Sequence, residues 1–343
     1  MLERAPTVIL VILLISTPLI PLFIPSIALP YYVQGNTEKT FTPGSMLFVG
    51  DIMLGRHVET LMDSSGDQYP LKQVKNILSS TNFTVGNFEG TIPKEHTHTE
   101  DYTMQFSIQE KSMHILAQAG FDALSLANNH SYDYGKEAFD YTQSVCVNAG
   151  LICAGNPVET SSSSLSIFSV GDTRVGVLFL YGVGMTKDHI DNFDKIITQA
   201  KNESDTQIAF IHWGTEYETK HTDIQSALAH HLIDHGIDAV MGHHPHVVED
   251  IEIYTGKPIF YSLGNFVFDQ YFSDTVQKGL GIKIDFNRDN TTYTLVPFSS
   301  IETPSQPHLM DIEDKTKFLS TILPPYDPDN VAIVTDSKII LGK

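Results

Sequence analysis

Short apolar segments alternate with amphipathic segments over most of the chain, and this alternation restricts the fold more than any other sequence feature. Strands are predicted at 45–50, 84–86, 122–127 and 151–154, with a polar loop after the first and helices at 69–79, 110–119 and 136–148. Gly120 is expected to cap the end of the second helix. Repeated β-α-β units predict a mainly parallel sheet with helices outside.

A second group of apolar segments follows residue 160. Strands are predicted at 165–170, 173–181, 206–212, 238–241, 250–254 and 258–263, with a helix at 222–235. Two further β-rich stretches, 280–287 and 291–299, form a predicted hairpin around the polar turn 288–290. These strands favour a second sheet packed on the first, and therefore an α/β fold.

The N-terminal region forms a separate apolar segment. Residues 7–29 are largely apolar, and no charge occurs between Arg4 and Glu38. About 20 apolar residues are enough to cross a bilayer, so an uncleaved membrane anchor is predicted. The alternative is a cleaved signal peptide with its apolar stretch at 8–15 and a small-residue cleavage site at 26–28. Either interpretation places the rest of the chain outside the cytoplasm.

The chain of 343 residues is predicted to contain one large domain. The N-terminal anchor or signal peptide covers 1–30, and a polar linker rich in turn-forming residues covers 31–44. The α/β domain covers 45–300. Residues 301–343 are expected to be a C-terminal extension packed on this domain, with a possible helix at 311–322.

The net charge argues against a nucleic-acid-binding protein, and the cysteine content argues against a cysteine-based scaffold. The chain has 21 Lys and Arg against 41 Asp and Glu, a formal charge of −20 that disfavours binding to nucleic acid. Two cysteines cannot form a disulfide scaffold or a cysteine-rich zinc module. Cys146 and Cys153 flank a predicted turn, and the sequence leaves open a disulfide in an exported protein or two buried free thiols.

Polar side chains with metal-ligand chemistry follow the predicted strands. In chain order, the strand ends carry Asp51, Glu89, Asn129 with His130, His212, His244 with His246, and Asn265. Carboxylate, amide and imidazole groups are ligands for manganese, iron or zinc. A carboxylate can bridge two ions about 3.5–4 Å apart, and such pairs activate water. The ordered set therefore predicts a divalent metal site, and the alternative is a polar rim without metal.

Other histidines are expected to have no catalytic role. His230, His231 and His235 lie on the predicted helix at 222–235 and are expected at its surface or edge. His96 and His98 lie in a polar loop that could bind a metal loosely but is expected to be a solvated loop. The remaining loop histidines are His57, His114, His189 and His308.

The same strand ends carry motifs that resemble a known family. GDIMLGR, NFEG, ANNHSYDYG, HWGTEY, GHHPHV and YSLGNFVFD occur in the order typical of the poly-γ-glutamate capsule biosynthesis (CapA) family. That family belongs to the calcineurin-like metallophosphoesterase superfamily. The resemblance spans about 45–300. It implies a metallo-dependent phosphatase-like four-layer αββα sandwich with a dinuclear metal centre.

The resemblance also implies a ligand set for two divalent ions. Asp51 and His246 would bind the first metal, Glu89 would bridge both, and Asn129, His212 and His244 would complete the second site. The sequence does not distinguish Mn, Fe and Zn.

Further roles follow from the resemblance. His130 matches the histidine that donates a proton to the leaving group, whereas Arg56, Glu216, Tyr217 and Asn265 match positions near the substrate.

The chain departs from the wider superfamily at two ligand positions. Met53 stands where the superfamily has a histidine, and a thioether is a poor replacement for a borderline ion. Glu89 stands where an aspartate is usual. The first metal is therefore expected to bind weakly, unless His57 moves in to replace the missing ligand.

Three functions remain open from the sequence. The first is an exported, metal-dependent hydrolase that cleaves a phosphoester or a γ-glutamyl amide. The second is a non-catalytic accessory protein that binds or guides an anionic polymer during synthesis or export. The third, a structural surface protein, predicts no bound metal. Expected partners are a capsule or cell-envelope polymer, the membrane through the N-terminal segment, and other capsule synthesis subunits.

Overall fold

The computed structural model describes residues 41–185, 187–323, 332–335 and 337–342. The predicted membrane segment at 7–29 and most of the predicted linker lie outside these residues. Within them, no helix is both long and apolar enough to cross a bilayer. The predicted domain boundaries remain predictions.

The larger of two sheets is built from strands near both ends of the described chain. Its strands are β1 (Gly44–Ile52), β2 (Phe83–Phe88), β3 (Ala123–Ser125), β4 (Ile152–Ala154), β11 (Asn265–Val267), β12 (Lys278–Phe286), β13 (Asn290–Ser299), β14 (His308–Leu309), β15 (Ala332–Thr335) and β16 (Lys338–Gly342). The order is β15-β16-β13-β12-β1-β2-β3-β4, with β11 beside β1 and β14 beside β13.

Strand direction divides this sheet at β1. Strands β1 to β4 are parallel, whereas β12 and β13 continue the sheet antiparallel on the other side of β1. The predicted mainly parallel sheet is therefore correct for one half and wrong for the other. The predicted hairpin exists, and its first strand pairs with β1 in the antiparallel sense.

The smaller sheet confirms the predicted second sheet. Its strands are β5 (Leu165–Val170), β6 (Thr173–Tyr181), β7 (Thr206–His212), β8 (Ala239–His243), β9 (Ile251–Tyr254) and β10 (Lys257–Phe260). In the order β5-β6-β7-β8-β10-β9, the four central strands are parallel and the two edge strands are antiparallel to their neighbours.

Helices pack around the two sheets. They are α1 (Arg56–Ser65), α2 (Lys75–Leu78), α3 (Lys111–Ala119), α4 (Gly135–Asn148), α5 (Lys187–Glu203), α6 (Asp223–His235) and α7 (Ile312–Ile322). One apolar cluster lies between the sheets, a second between the larger sheet and α1, α3 and α4, and a third between the smaller sheet and α5 and α6. The mixed α/β class is thus confirmed.

The predicted helices differ from the structure at three places, and strands β11, β14, β15 and β16 have no predicted counterpart. The chain forms α1 where a polar loop is predicted, and α5 has no predicted counterpart. The core-facing side of α1 buries Arg56 and Glu59 beside Val58 and Met62. The predicted helix at 69–79 is a 3₁₀ turn followed by the short α2.

A tertiary contact explains the interruption of that helix. The side-chain amide of Gln306 donates to the Tyr69 carbonyl, which a continuous helix would pair with the N–H of Gln73. Gln73 is also bonded to Gln306, through its side chain.

One predicted helix end and one predicted helix are confirmed. Gly120 ends α3 in the left-handed region, at φ +108°, where glycine has no Cβ penalty. The possible helix at 311–322 is present as α7, and the Asp311 carboxylate accepts two N–H groups of its first turn.

Cys146 and Cys153 form a disulfide, so the alternative of two free thiols is wrong. The bond joins the last turn of α4 to β4, and the two Cα atoms are 6.2 Å apart. This separation lies within the usual range for a bridged pair.

We expect Cys153→Ala to lower the free energy of unfolding by about 2–3 kcal/mol, because the disulfide restricts a short loop of the unfolded chain. Denaturant unfolding of the oxidised wild type and the variant checks this. The reduced wild type is the control and should be destabilised in the same direction. Two free thiols in the unreduced, unfolded protein would contradict the pairing.

A buried carboxyl group lies beside the start of α6. The Thr222 hydroxyl accepts from the backbone N–H of Gln225, whose side-chain carbonyl accepts from the backbone N–H of Thr222. The side-chain amide of Gln225 donates to Glu249 at 2.7 Å. Glu249 is 1% exposed, its second carboxylate oxygen has no hydrogen-bond partner, and burial raises its pKa to about 8.

Glu249 is expected to make the protein less stable as the pH rises. Between its ordinary pKa of 4.5 and about 8, the folded protein keeps a proton that the unfolded chain releases. The free energy of unfolding therefore falls across this range, by a few kcal/mol in total, and the loss is complete above it. Glu249→Gln should remove this fall. Denaturant titrations from pH 5 to 9 check it, and parallel pH profiles would contradict it.

Candidate metal centre

The ends of parallel strands from both sheets meet at one place. Asp51 is the second-last residue of β1, and Glu89 directly follows β2. His212 and His243 are the last residues of β7 and β8. Polar groups gather at the carboxyl ends of strands in α/β folds, and here two such sheet edges face each other. All four side chains are fully buried.

Asp51 is surrounded by hydrogen-bond donors. Its Oδ1 accepts from the Asn87 side-chain amide at 2.8 Å, and its Oδ2 accepts from the backbone N–H of His244 at 3.2 Å. The imidazoles of His243 and His246 each lie 3.4 Å from its carboxylate. Burial opposes ionisation, but these two imidazoles outweigh it and hold the pKa of Asp51 well below its ordinary value. Asp51 is therefore a buried anion.

Glu89 lies beside Asp51 in an environment that disfavours its ionised form. The Asn87 amide that donates to Asp51 also donates to Glu89 Oε2, at 3.1 Å. Its Oε1 has no hydrogen-bond partner and lies 3.6 Å from His246 Nε2. Burial, and then the charge of Asp51, raise the pKa of Glu89 well above its ordinary value. An added cation would favour the ionised form of this group.

Two imidazoles of the site, those of His212 and His244, are held neutral. Burial lowers the pKa of His212 well below its ordinary value, and burial lowers that of His244 to about 3, with the neighbouring His246 adding to the effect. Neutral imidazole is the form that binds metal. Two buried imidazole nitrogens of the site, His243 Nε2 and His244 Nδ1, have no hydrogen-bond partner. Unpartnered buried donors and acceptors are rare in folded proteins, so these atoms fit metal ligation.

The donors form three overlapping groups. Asp51, Glu89 and His246 make one; Asp51, His212 and His243 make the second; Glu216, His244 and His246 make the third, with donor atoms within 4.8 Å of one another in each. Asn129 contacts the set through its Oδ1, 2.8 Å from His212 Nε2. The structure thus brings together all six predicted ligands, whose assignment to two individual metals remains a prediction.

His243 is a donor that the sequence did not predict, and Glu216 lies in a donor group although it was predicted near the substrate. His243 directly precedes the predicted His244-x-His246 pair, and its ring packs on Phe210 between the sheets, 4.4 Å between centroids. A histidine at the end of a buried strand is a usable signal, but the choice between adjacent histidines requires the strand boundary. Glu216 was predicted near substrate, and its carboxylate lies within reach of two imidazoles.

His130 is held in one orientation by two neighbours. Its Nδ1 lies 2.9 Å from Asp133 Oδ2, and its ring stacks on Phe106 at 3.9 Å between centroids. Its Nε2 faces the metal-ligand cluster, 3.9 Å from Glu89 Oε1. Asp133 also accepts the N–H of Phe106 at 2.7 Å, which fixes the carboxylate. Asp133 is the partner that sequence reasoning did not assign, although it lies only three residues after His130.

Three of the predicted substrate residues have partners within the protein. The Arg56 guanidinium forms a two-point ion pair with Asp269 and donates to the Thr103 carbonyl. Asn265 Oδ1 lies 3.0 Å from His246 Nδ1, so Asn265 orients a predicted ligand. The Tyr217 hydroxyl accepts from Gln270 at 3.1 Å.

Met53 and His57 do not supply the missing ligand. Met53 is fully buried, and its sulfur accepts from the backbone N–H of Gly55 at 3.1 Å. His57 packs edge-on against Tyr271 at 5.8 Å and belongs to none of the donor groups.

Several residues of the site have unusual backbone conformations. Arg56, Tyr217, His244 and His246 have positive φ values of +47°, +68°, +104° and +61°. Non-glycine residues in this region carry strain, and such residues cluster at functional sites. In His244 and His246 it accompanies the sharp turn that brings the His246 ring to Asp51 and Glu89 and the His244 ring to Glu216.

A cleft opens beside the cluster. It encloses about 550 Å³ and is lined by His130, His246, Tyr217, Tyr271 and Phe272, among others. Its lining acids include Asp101, Glu216 and Asp269, and Asp269 is paired with Arg56. The cleft combines aromatic surface with negative charge.

We expect Asn265→Ala to weaken Mn²⁺ binding by about 10- to 100-fold, because a partner that orients a metal-binding histidine contributes this much affinity. Calorimetric titration of the metal-depleted chain checks it. Gln270→Ala is the control: Gln270 contacts Asn265 but makes no hydrogen bond to His246. Equal affinity in Asn265→Ala and the wild type would contradict the positioning role.

Comparison with known sequences identifies the family. Residues 45–270 match the family described as bacterial capsule synthesis protein PGA_cap. The PGA biosynthesis protein CapA of Bacillus subtilis (strain 168) is 32% identical over 251 residues, covering 69% of this chain and 66% of that protein. The capsule biosynthesis protein CapA of Bacillus anthracis is 33% identical over 286 residues, covering 77% and 69%. The chain spans about two thirds of the length of these curated relatives.

Among solved structures, purple acid phosphatase PPD1 from yellow lupin (Lupinus luteus) is similar at 13% identity and a TM-score of 0.39, covering 80% of this chain and 55% of that one. A likeness this distant supports no inference about activity. The sequence relationship confirms the predicted resemblance to CapA. The chain therefore belongs to the bacterial capsule synthesis protein PGA_cap family.

Proposed function

We propose that the chain is an exported, metal-dependent protein of capsule, poly-γ-glutamate or other cell-envelope polymer synthesis. In this proposal its fold is the metallo-dependent phosphatase-like αββα sandwich. The site hydrolyses a phosphoester or a γ-glutamyl amide. The names of the two CapA relatives support the link to capsule polymer.

The placement of His130 supports hydrolysis more than binding alone. A histidine that only filled space would not need a partly buried carboxylate partner, a stacked aromatic ring and a free Nε2 directed at the metal-ligand cluster. The Asp133 carboxylate can only accept, so His130 Nδ1 carries hydrogen, and Nε2 is left to exchange a proton with a bound substrate. A histidine held in this way can act as a general acid toward a leaving group within hydrogen-bond reach of Nε2.

The metal ligands supply the complementary half of the chemistry. Asp51, Glu89, Asn129, His212, His244 and His246 would hold two divalent ions, of Mn, Fe or Zn, with His243 and Glu216 as further candidate ligands. Bound divalent ions supply Lewis acidity and charge neutralisation for an anionic group. The protein's own part is to hold His130 on one side of the leaving group and to shield it with Phe106.

Charge in the cleft supports a substrate that meets the site through the metal ions. The Arg56 guanidinium is engaged by Asp269 and Thr103, and Glu216 and Asp101 add negative charge. An anionic polymer would therefore be repelled without metal and attracted with it. This dependence also applies to the alternative function, an accessory protein that guides the polymer without cleaving it.

Export is supported by the disulfide between Cys146 and Cys153, because such bonds persist in oxidising compartments. We place the domain outside the cytoplasm, anchored by the segment at 7–29 or released by its cleavage. Other capsule synthesis subunits are expected partners.

We expect His130→Ala to lower kcat by about 10²- to 10⁴-fold with little change in metal content, because it removes the proton donor and leaves the ligands in place. Turnover of an aryl phosphoester and of an oligo-γ-glutamate, each with Mn²⁺, checks this. His114→Ala, on the exposed side of α3, is the control.

Two outcomes separate the functions. Turnover that is lost in His130→Ala supports hydrolysis. Metal-dependent binding of oligo-γ-glutamate, abolished by a chelator and accompanied by no turnover of either substrate in the wild type, would contradict hydrolysis and favour the accessory role.

A further inference from the structure

We propose a second metal site, of the zinc type, on the surface between α5 and α6. Its ligands are Asp194 of α5 and His231 and His235 of α6, whose donor atoms lie within 4.8 Å of one another. None of these residues belongs to the candidate metal centre. We call it the α5–α6 site, and the proposal is independent of the proposed function.

The helix places both imidazoles on one face. Residues four apart in an α-helix lie one above the other, and the His231 and His235 rings stack at 3.9 Å between centroids. Both Nε2 atoms face the carboxylate of Asp194. His231 Nε2 lies 2.8 Å from Oδ1, and His235 Nε2 lies 4.0 Å from Oδ2.

A backbone contact prepares His235 for ligation. Its Nδ1 lies 2.8 Å from the carbonyl oxygen of His231, which can only accept a hydrogen bond. Nδ1 therefore carries the hydrogen, and in the neutral ring Nε2 presents its lone pair toward Asp194. Metal-binding histidines are commonly fixed through their second nitrogen in this way.

The charges around the α5–α6 site favour a bound cation. The site lies in the last turn of α6, where the carbonyl groups of the helix end carry partial negative charge. Lys201 opposes a metal ion, because its ammonium group lies 3.3 Å from the His235 carbonyl oxygen. Asp194 offsets this charge locally, and the chain as a whole has a net charge of −20.

The donor set and its exposure select the type of ion. Two imidazoles and one carboxylate match the three-ligand pattern of zinc sites that keep a fourth position for water. The side chains are 29%, 44% and 34% exposed for His231, His235 and Asp194, so the fourth position faces solvent. An ion held there would link α5 to α6.

Zinc titration of the metal-depleted full chain tests the proposal. We expect the wild type to bind one more Zn²⁺ per chain than either His231→Ala or His235→Ala. His230→Ala is the matched control, because His230 lies on the same helix but contacts Glu252 and Tyr254, and it should match the wild type. Zinc at the candidate metal centre contributes equally to all these proteins. Equal stoichiometry in all of them would overturn the proposal, leaving a His–Asp ion pair.

Amide hydrogen exchange is a second experiment, and it tests whether the zinc ion binds between α5 and α6. Zn²⁺ should slow amide exchange at 191–203 and 223–235 in the wild type and in His230→Ala, and it should have no effect there in Asp194→Asn. Asp194→Asn keeps the size of the side chain, so it serves even if a histidine variant unfolds. Zinc protection of these helices that persists in Asp194→Asn would overturn the assignment of the ligands.

Discussion

The burial of two adjacent carboxylates, Asp51 and Glu89, is the constraint on which the site depends. Neither side chain is exposed to solvent, and one amide group, that of Asn87, donates to both. Asn87 is oriented in turn by Asn128, whose amide donates to its carbonyl at 3.0 Å. Ionising both of two adjacent buried acids is unfavourable, because their negative charges repel each other and neither is solvated. Hydrogen-bond donors surround Asp51 and favour its ionised form, whereas one oxygen of Glu89 has no hydrogen-bond partner. A bound cation would supply the partner that this oxygen lacks.

Much of the candidate site could be predicted from the sequence, because its residues lie at or directly after the ends of strands. Glycine-bounded apolar segments predict the strands, and the polar residue after each segment predicts the site. What the sequence could not supply is the contact between sheets. His243 and His244 are adjacent in the chain, and only the register of β8 shows that the first packs between the sheets while both approach Asp51. The role of Asp133 depends on the turn that returns it to His130.

Helix α1 was not predicted, although Val58 and Met62, four residues apart, lie on one buried face. On α1, the core-facing positions include Arg56 and Glu59, whose charges are satisfied by residues far along the chain: Asp269 for Arg56, and His96 for Glu59. A sequence pattern counts these positions as exposed. Arg56 also donates to the Thr103 carbonyl, in the loop that lines the cleft.

The C-terminal strands have a consequence for association between molecules. β16 pairs with the first half of β13, and β14 pairs with its last two residues, so segments after residue 300 occupy the outer hydrogen-bonding positions of a long central hairpin. A proteolytic cut that released them would leave a row of unpaired amide and carbonyl groups along β13. Such a row is a template for strand addition by a neighbouring molecule. The extension therefore covers the outer edge of β13, and its removal would open that edge to pairing with a neighbouring molecule.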